Sequence, residues 1–321
     1  MTLKEALSRA APSDVRGGEL ELALEGWMRA LAPENKSPRT LNGYRIAIEV
    51  MIRFLQSKGM PLRLTSITRE HMQEFINDQL RRGTPATASL RYRCAALFFK
   101  WLVEEGEIQT SPMLKTKPPR VPETLAPVLA ESQIKALIAV CEADKSFEGL
   151  RDAAIVRTFL DSGLRLSELT GIMLWRPDED GSDVDLNAHR IFVIGKGNKP
   201  RYVSLQNKAV RALDRYIRAR NRHRLADTDG NLWLGRKGPM TPPAVAHMVM
   251  RRGKQAGISG MHPHLLRHTF AHIFRAAGGS EGDLMQLAGW KSLTMVRRYG
   301  SSVAAERAHA SHQRLKIGDA F

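Results

Sequence analysis

The chain has 321 residues, of which 43% are hydrophobic and 26% charged, enough for about two domains with apolar cores of their own. Its net charge is +16, spread along the chain as 19 basic against 13 acidic residues up to position 120 and 30 against 20 beyond it. Two distant cysteines argue against a disulfide-stapled scaffold, and no run approaches the ~18 apolar residues of a membrane span; a polyanion touched by both halves, nucleic acid above all, fits the charge.

The opening MTLKEALSRAAPSD has a lysine and an acid where a signal peptide needs an apolar core. The expectation is a cytoplasmic protein, associated with the nucleoid when on DNA. Four helical patterns follow: residues 18–31; a second from Pro38, with Ser37 as N-cap and Leu41, Ile48, Ile52 and Leu55 on one stripe; a third across ITREHMQEFINDQLRRG; and a fourth across TPATASLRYRCAALFFKWLVEEG, with Leu90, Leu97, Trp101 and Val103 as its apolar side. They predict a small helical bundle at about 15–115. Basic and aromatic residues on two of these helices, Arg39, Tyr44 and Arg45 on the second and Arg91 and Arg93 on the fourth, suit phosphate or groove contacts, as they also suit solvated helix faces.

Residues 110–127 hold five prolines and no apolar period, and read as an extended linker whose core is 116–124. Helices resume at SQIKALIAVCEA and LRDAAIVRTFLDSG. RIFVIGKGNKPRYVSL then changes the period: two β-branched or aromatic runs flank a Gly-Lys-Gly-Asn-Lys-Pro turn, a β-hairpin with a basic tip. Helices return over 208–222, 242–255, HPHLLRHTFAH, LMQLAG, SLTMVRRYG and the Ala-rich end. The second domain, 125–321, is therefore mainly α with one small antiparallel sheet.

HPHLLRHTFAH holds four of the ten histidines. Helical i, i+4 spacing can bring two imidazoles to a metal, but a third ligand and the glutamate of an HExxH site are missing, and Arg267 beside His268 works against a cation. The expectation is no metal and no cofactor. Arginine favours phosphate instead, since its planar fork grips two oxygens and never loses its charge. Partners for it exist: Arg165 follows Gly163 at a turn into a helix, with Glu168 three residues on to orient it; Lys196 sits on the hairpin tip; Tyr299 closes LAGWKSLTMVRRYG nine positions after Trp290.

In order and spacing, Arg165 in SGLRLSEL, Lys196 in GKGNKPR, His264 and Arg267 in HPHLLRH, Trp290 in LAGW and Tyr299 in VRRYG resemble the tyrosine recombinases, or phage integrase family, and a simple two-domain Xer- or Cre-like member in particular. The resemblance covers the helical N-terminal domain by architecture and residues 163–300 by motif. It implies the DNA breaking-rejoining fold, with a DNA-binding core domain ahead of the catalytic one and no separate arm-binding domain in front. The implied activity is site-specific recombination, integration included: Tyr299 attacks the scissile phosphate, Arg165 and Arg267 clamp it, His264 assists, and Lys196 protonates the leaving 5′-oxygen. Trp290 stands where histidine is more common in the family and would donate its indole N–H. His268 would support the site, and His262 and His272 lie outside the chemistry. Lys199 and Arg201 fit phosphate contact or plain solvation equally well. Implied partners are double-stranded recombination sites, further copies of the chain in a tetramer, and accessory DNA-bending or directionality proteins, with no membrane; a tail from about 303, apolar at Val303, Leu315, Ile317 and Phe321, would pass to a neighbour. Two rivals remain open at this point, a type IB topoisomerase or telomere resolvase with the same chemistry, and a catalytically silent DNA-binding regulator.

Overall fold

A computed structural model describes residues 18–122, 126–176, 181–195, 199–290 and 312–315. The chain divides into two compact units, 1–123 and 124–321. No helix among the described residues is long and apolar enough to cross a membrane.

Among the described residues the first unit contains four α-helices, α1 (Glu19–Leu31), α2 (Pro38–Ser57), α3 (Arg69–Arg82) and α4 (Pro85–Glu104). Two of them start as their sequences require: Ser37 Oγ accepts from Thr40 N at 3.1 Å and Thr84 Oγ1 from Thr87 N at 3.2 Å, each ahead of a proline whose missing N–H costs nothing in the first turn. Ile48, Ile52 and Leu55 of the predicted α2 stripe are buried, and Leu41 packs beside them. Of the predicted α4 face only Trp101 packs against the core. Leu90 and Leu97 are 50% and 45% exposed, and the buried side is Ala88, Ala95, Phe98, Phe99 and Leu102. Phe98 decides this orientation, because its ring meets Trp27 of α1 at 5.4 Å, and aromatic area outweighs two leucines.

The proline-rich stretch is extended over less of its length than expected. Met113 is buried in the first core, and Tyr92 Oη donates to Thr116 O at 3.0 Å, so residues up to 116 belong to the first unit.

In the second unit, α5 (Glu131–Ala143), α6 (Phe147–Ser162) and the short α7 (Leu166–Thr170) precede a three-stranded antiparallel sheet of β1 (Val184–Asp185), β2 (Arg190–Gly195) and β3 (Lys199–Ser204). The expected hairpin is present, with Ile191 opposite Val203, but its strands reach further than expected: Gly195, Lys199 and Pro200, read as turn, pair within it, and β1 is a third strand too short to show a period. Helices α8 (Asn207–Arg220), α9 (Pro242–Gln255), α10 (Pro263–Ala276) and α11 (Glu281–Ala288) follow. Helix α6 is the axis of this unit: Ala154, Ile155 and Phe159 are buried with Leu213 and Tyr216 of α8, Leu266 of α10 and Ile191 of the sheet. Tyr216 stacks on Trp233 at 5.3 Å while its hydroxyl donates to Leu232 O and accepts from Leu234 N, each at 2.9 Å, which satisfies the polar end of a buried ring. Asp152, wholly buried on α6, is bound by Arg151 at 2.7 Å and Arg252 at 2.8 Å, as a buried charge must be.

Candidate active site

Helix α6 ends at Gly163 with φ +59°, a left-handed stop whose N–H returns to Phe159 O at 2.9 Å. A Cβ there would stand 2.2 Å from Phe270 Cδ1 of α10, so only glycine lets the chain turn this close to that helix. The turn delivers Arg165 to the N-cap position of α7.

Three arginines from three stretches of chain then converge on the end of α11. The last carbonyls of a helix have no partner within it and carry its negative dipole end. Here each of three consecutive ones accepts from a guanidinium: Leu287 O from Arg201 Nε at 3.2 Å, Ala288 O from Arg267 Nη2 at 2.7 Å, and Gly289 O from Arg165 Nη2 at 2.8 Å. Arg267, only 2% exposed, also donates to Gly163 O and lies over the Trp290 ring with its Cζ 5.0 Å from the centroid. Gly289 has φ +63°, and a Cβ on it would stand 3.1 Å from Arg201 Nη1 and 3.3 Å from Arg165 Nη1.

Glu168, 5% exposed, sits between two of these arginines. Its Oε1 accepts from Arg165 Nη1 at 2.7 Å and Arg201 Nη1 at 3.0 Å; its Oε2 accepts from Arg165 N at 2.9 Å and Arg201 Nη2 at 2.8 Å. Burial alone would raise this carboxyl, but the hydrogen bonds and charges of Arg201 and Arg165 more than offset it and bring it down to about 2.

On α10, His262 is the N-cap, its Nδ1 accepting from Leu265 N at 3.0 Å, which gives this histidine a structural task. His264 is exposed and its ring lies 4.6 Å from that of His268, with Arg267 one turn beyond His264. His272 is half-buried a further turn along α10. Among the described residues no three His, Cys, Asp or Glu side chains are grouped so as to hold a metal ion. Lys196, Tyr299 and the tail apart from its 312–315 turn lie outside the described residues.

The basic residues expected on DNA separate into two sets. Arg45 donates to Glu25, Arg91 to Gln79, and Tyr44 stacks on Trp27 at 5.4 Å, so these three are engaged within the first unit. Arg39, Arg93 and Lys199 are exposed, Arg93 Nε reaching Ser89 O at 3.4 Å. Arg201 departs from the expectation of a solvated or phosphate-bound hairpin residue: its side chain is 15% exposed and spends its fork on Glu168. The sequence carried no local sign of this, since Glu168 lies 33 positions earlier. Gly289 was missed as well, although a glycine after LMQLA is the usual mark of a left-handed helix stop.

A cluster of three arginines at the end of a helix, in a mainly helical unit with one small antiparallel sheet that follows a helical unit in the chain, defines a class. Residues 127–306 match the phage integrase family, and 23–107 match the N-terminal SAM-like domain of phage integrases. The chain belongs to the phage integrase family, the tyrosine site-specific recombinases. Among its relatives is the tyrosine recombinase XerC of Xanthomonas axonopodis pv. citri (strain 306), 31% identical over 277 residues that cover 82% of this chain and 86% of that one. Its fold is shared with XerH recombinase bound to a palindromic difH substrate in a post-cleavage complex, at a TM-score of 0.71 and 15% identity over 97% of this chain and 93% of that one. A lambda integrase tetramer bound to a Holliday junction matches at 0.64 and 19%, over 89% and 81%.

Proposed function

We propose that this chain cleaves and rejoins duplex DNA at specific sites through a 3′-phosphotyrosyl intermediate on Tyr299, working as a tetramer on two sites. The Tyr299 oxygen attacks phosphorus as His264 assists removal of its proton, the bond from phosphorus to the 5′-oxygen breaks, and Lys196 supplies the proton that the leaving oxygen takes up. Because the phosphotyrosyl ester conserves the energy of the broken bond, a 5′-hydroxyl from another strand reverses the step without ATP.

The observation that carries this reading is the docking of Arg165 and Arg267 on the adjacent carbonyls of Gly289 and Ala288. Held there, two guanidinium groups can stabilise the charge that builds on the non-bridging oxygens without reorganising during the reaction. Among the described residues the Arg165 guanidinium spends one N–H on Glu168 and one on Gly289 O, and 30% of its side chain is exposed toward a phosphate. His264, exposed one turn before Arg267, would hydrogen-bond the same phosphate, and His268 would support it from the ring contact. The XerC relatives and the DNA-bound recombinases of the same fold support duplex DNA as substrate, and the lambda integrase tetramer supports the assembly. Accessory DNA-bending or directionality proteins belong to the proposal as partners that set the outcome, and passage of the tail beyond 303 to a neighbour as the link between subunits.

The test is a nicked suicide duplex carrying the DNA that flanks the native gene. Wild type is expected to trap a covalent adduct that Tyr299→Phe does not form while still binding the duplex. Recovery of recombinants between two copies of the trapped site is expected in addition; relaxation of supercoiled plasmid without any recombinants would sink recombination in favour of a topoisomerase.

A further inference from the structure

We propose that Arg201 is a positioning residue: through the buried carboxylate of Glu168 it fixes the guanidinium of Arg165 against the end of α11, and so ties β3, the strand that follows Lys196 in the chain, to the phosphate clamp. The inference rests on the reading of Arg165 as part of that clamp.

Three features carry it. The first is stoichiometry: a carboxylate has about four acceptor positions, and Glu168 fills them with two donors from Arg165 and two from Arg201, so neither arginine can be withdrawn without leaving buried acceptors unmet. The second is geometry. Arg201 is the only one of the two to enter as a fork on both carboxylate oxygens through its own guanidinium, which fixes the plane of Glu168 as a single ammonium would not, and its Nε then reaches Leu287 O two residues before the carbonyl that holds Arg165. The third is the glycine ahead of Lys196. A Cβ at Gly195 would stand 3.0 Å from Arg201 Nη1 and 3.4 Å from Glu168 Oε1, so the hairpin is kept bare where it crosses this pair. The low carboxyl of Glu168 agrees, since Arg201 supplies the largest of the interactions that hold it ionised.

The experiment compares Arg201→Met and Arg201→Lys in the full chain by three measurements: affinity for the flanking duplex, single-turnover adduct formation at saturating DNA, and hydrogen exchange at the Arg165 amide, which donates to Glu168. For Arg201→Met the expectation is affinity within twofold of wild type, adduct formation slower by at least tenfold, and Arg165 exchange faster by at least tenfold, with the amide of Leu234, held by Tyr216, unchanged. Arg201→Lys is expected to recover part of both losses, because it restores the charge but not the fork. Adduct formation and Arg165 exchange both within twofold of wild type would overturn the proposal. So would weakened DNA affinity with an intact saturated rate, which would make Arg201 a direct DNA contact, or a parallel loss of Leu234 protection, which would make it a general support of the fold. If the methionine variant does not fold, the lysine variant answers the same three measurements. If wild type forms no adduct, the functional reading falls while the exchange data still decide whether Arg201 holds Arg165.

Discussion

Replacing Gly163 with alanine tests the geometry of the site at its root. The residue has φ +59°, where a Cβ costs about 1–2 kcal/mol against its own backbone. That Cβ would also stand 2.2 Å from Phe270 Cδ1, so α10 or the ring must give way, and such overpacking costs about 1–3 kcal/mol. The sum, about 2–5 kcal/mol, corresponds to a fall of about 5–15 °C in the melting of a unit this size. Calorimetry of the full chain is expected to show the fall in the transition of the second unit alone. Because Gly163 O also holds Arg267, and Arg165 is two residues on, adduct formation well below the new melting point should fall by more than tenfold. Adding Phe270→Leu should restore the part of the stability lost to crowding and leave the backbone part. A Gly163→Ala protein that melts within 1 °C of wild type, or one fully restored by Phe270→Leu, would refute the reasoning.

Glu168→Gln probes the buried carboxylate. Its folded value of about 2 lies below the ordinary 4.5, so its ionised form contributes stability that is fully present above about pH 4.5 and is lost as the pH falls toward 2. Denaturant midpoints should therefore show a deficit in the variant that is constant at pH 5 and above and shrinks below 4.5; a deficit independent of pH across that window would count against the ion pairs. Phe98→Ala should cost about 3–5 kcal/mol in the first unit and leave the transition of the second unit in place, read from the same calorimetric scans. DNA affinity should fall steeply with salt, and Arg39→Gln should lower the slope of log K against log salt by about 1 if that exposed residue touches a phosphate.

The sequence made the helix starts legible because caps are local: Ser37, Thr84 and their prolines act within one turn. The hairpin was legible for the same reason, its two runs and turn being contiguous. The face of α4 was not, because Leu90 and Leu97 satisfy a helical period as well as Phe98 and Leu102 do, and only the position of Trp27 on α1 decides between them. Among the candidate site residues, the pairing of Glu168 with Arg165 could be anticipated from their i, i+3 spacing. The engagement of Arg201 could not, since it joins a strand to a helix start across 33 residues, and a lysine- and arginine-rich hairpin looks solvated until its neighbours are known. His262 resembled its three neighbours in composition and differs from them only by standing at the N-cap.

At the end of α11 the arginines at residues 165, 201 and 267 are received by main-chain oxygens at 287, 288 and 289. Such a socket reads the length of the chain and is nearly blind to its lettering. Substitutions along the exposed side of α11 should pass unnoticed at the clamp, Gly289 excepted, whereas inserting or deleting one residue there turns the helix end by about 100° and unseats all three guanidinium groups at once. For anyone assembling hybrids from related recombinases, a junction after Trp290 keeps the socket and its three visitors in one parent. A junction between 165 and 289 parts groups that hold one another, and keeps the clamp only where both parents supply them, Glu168 and Arg201 among them.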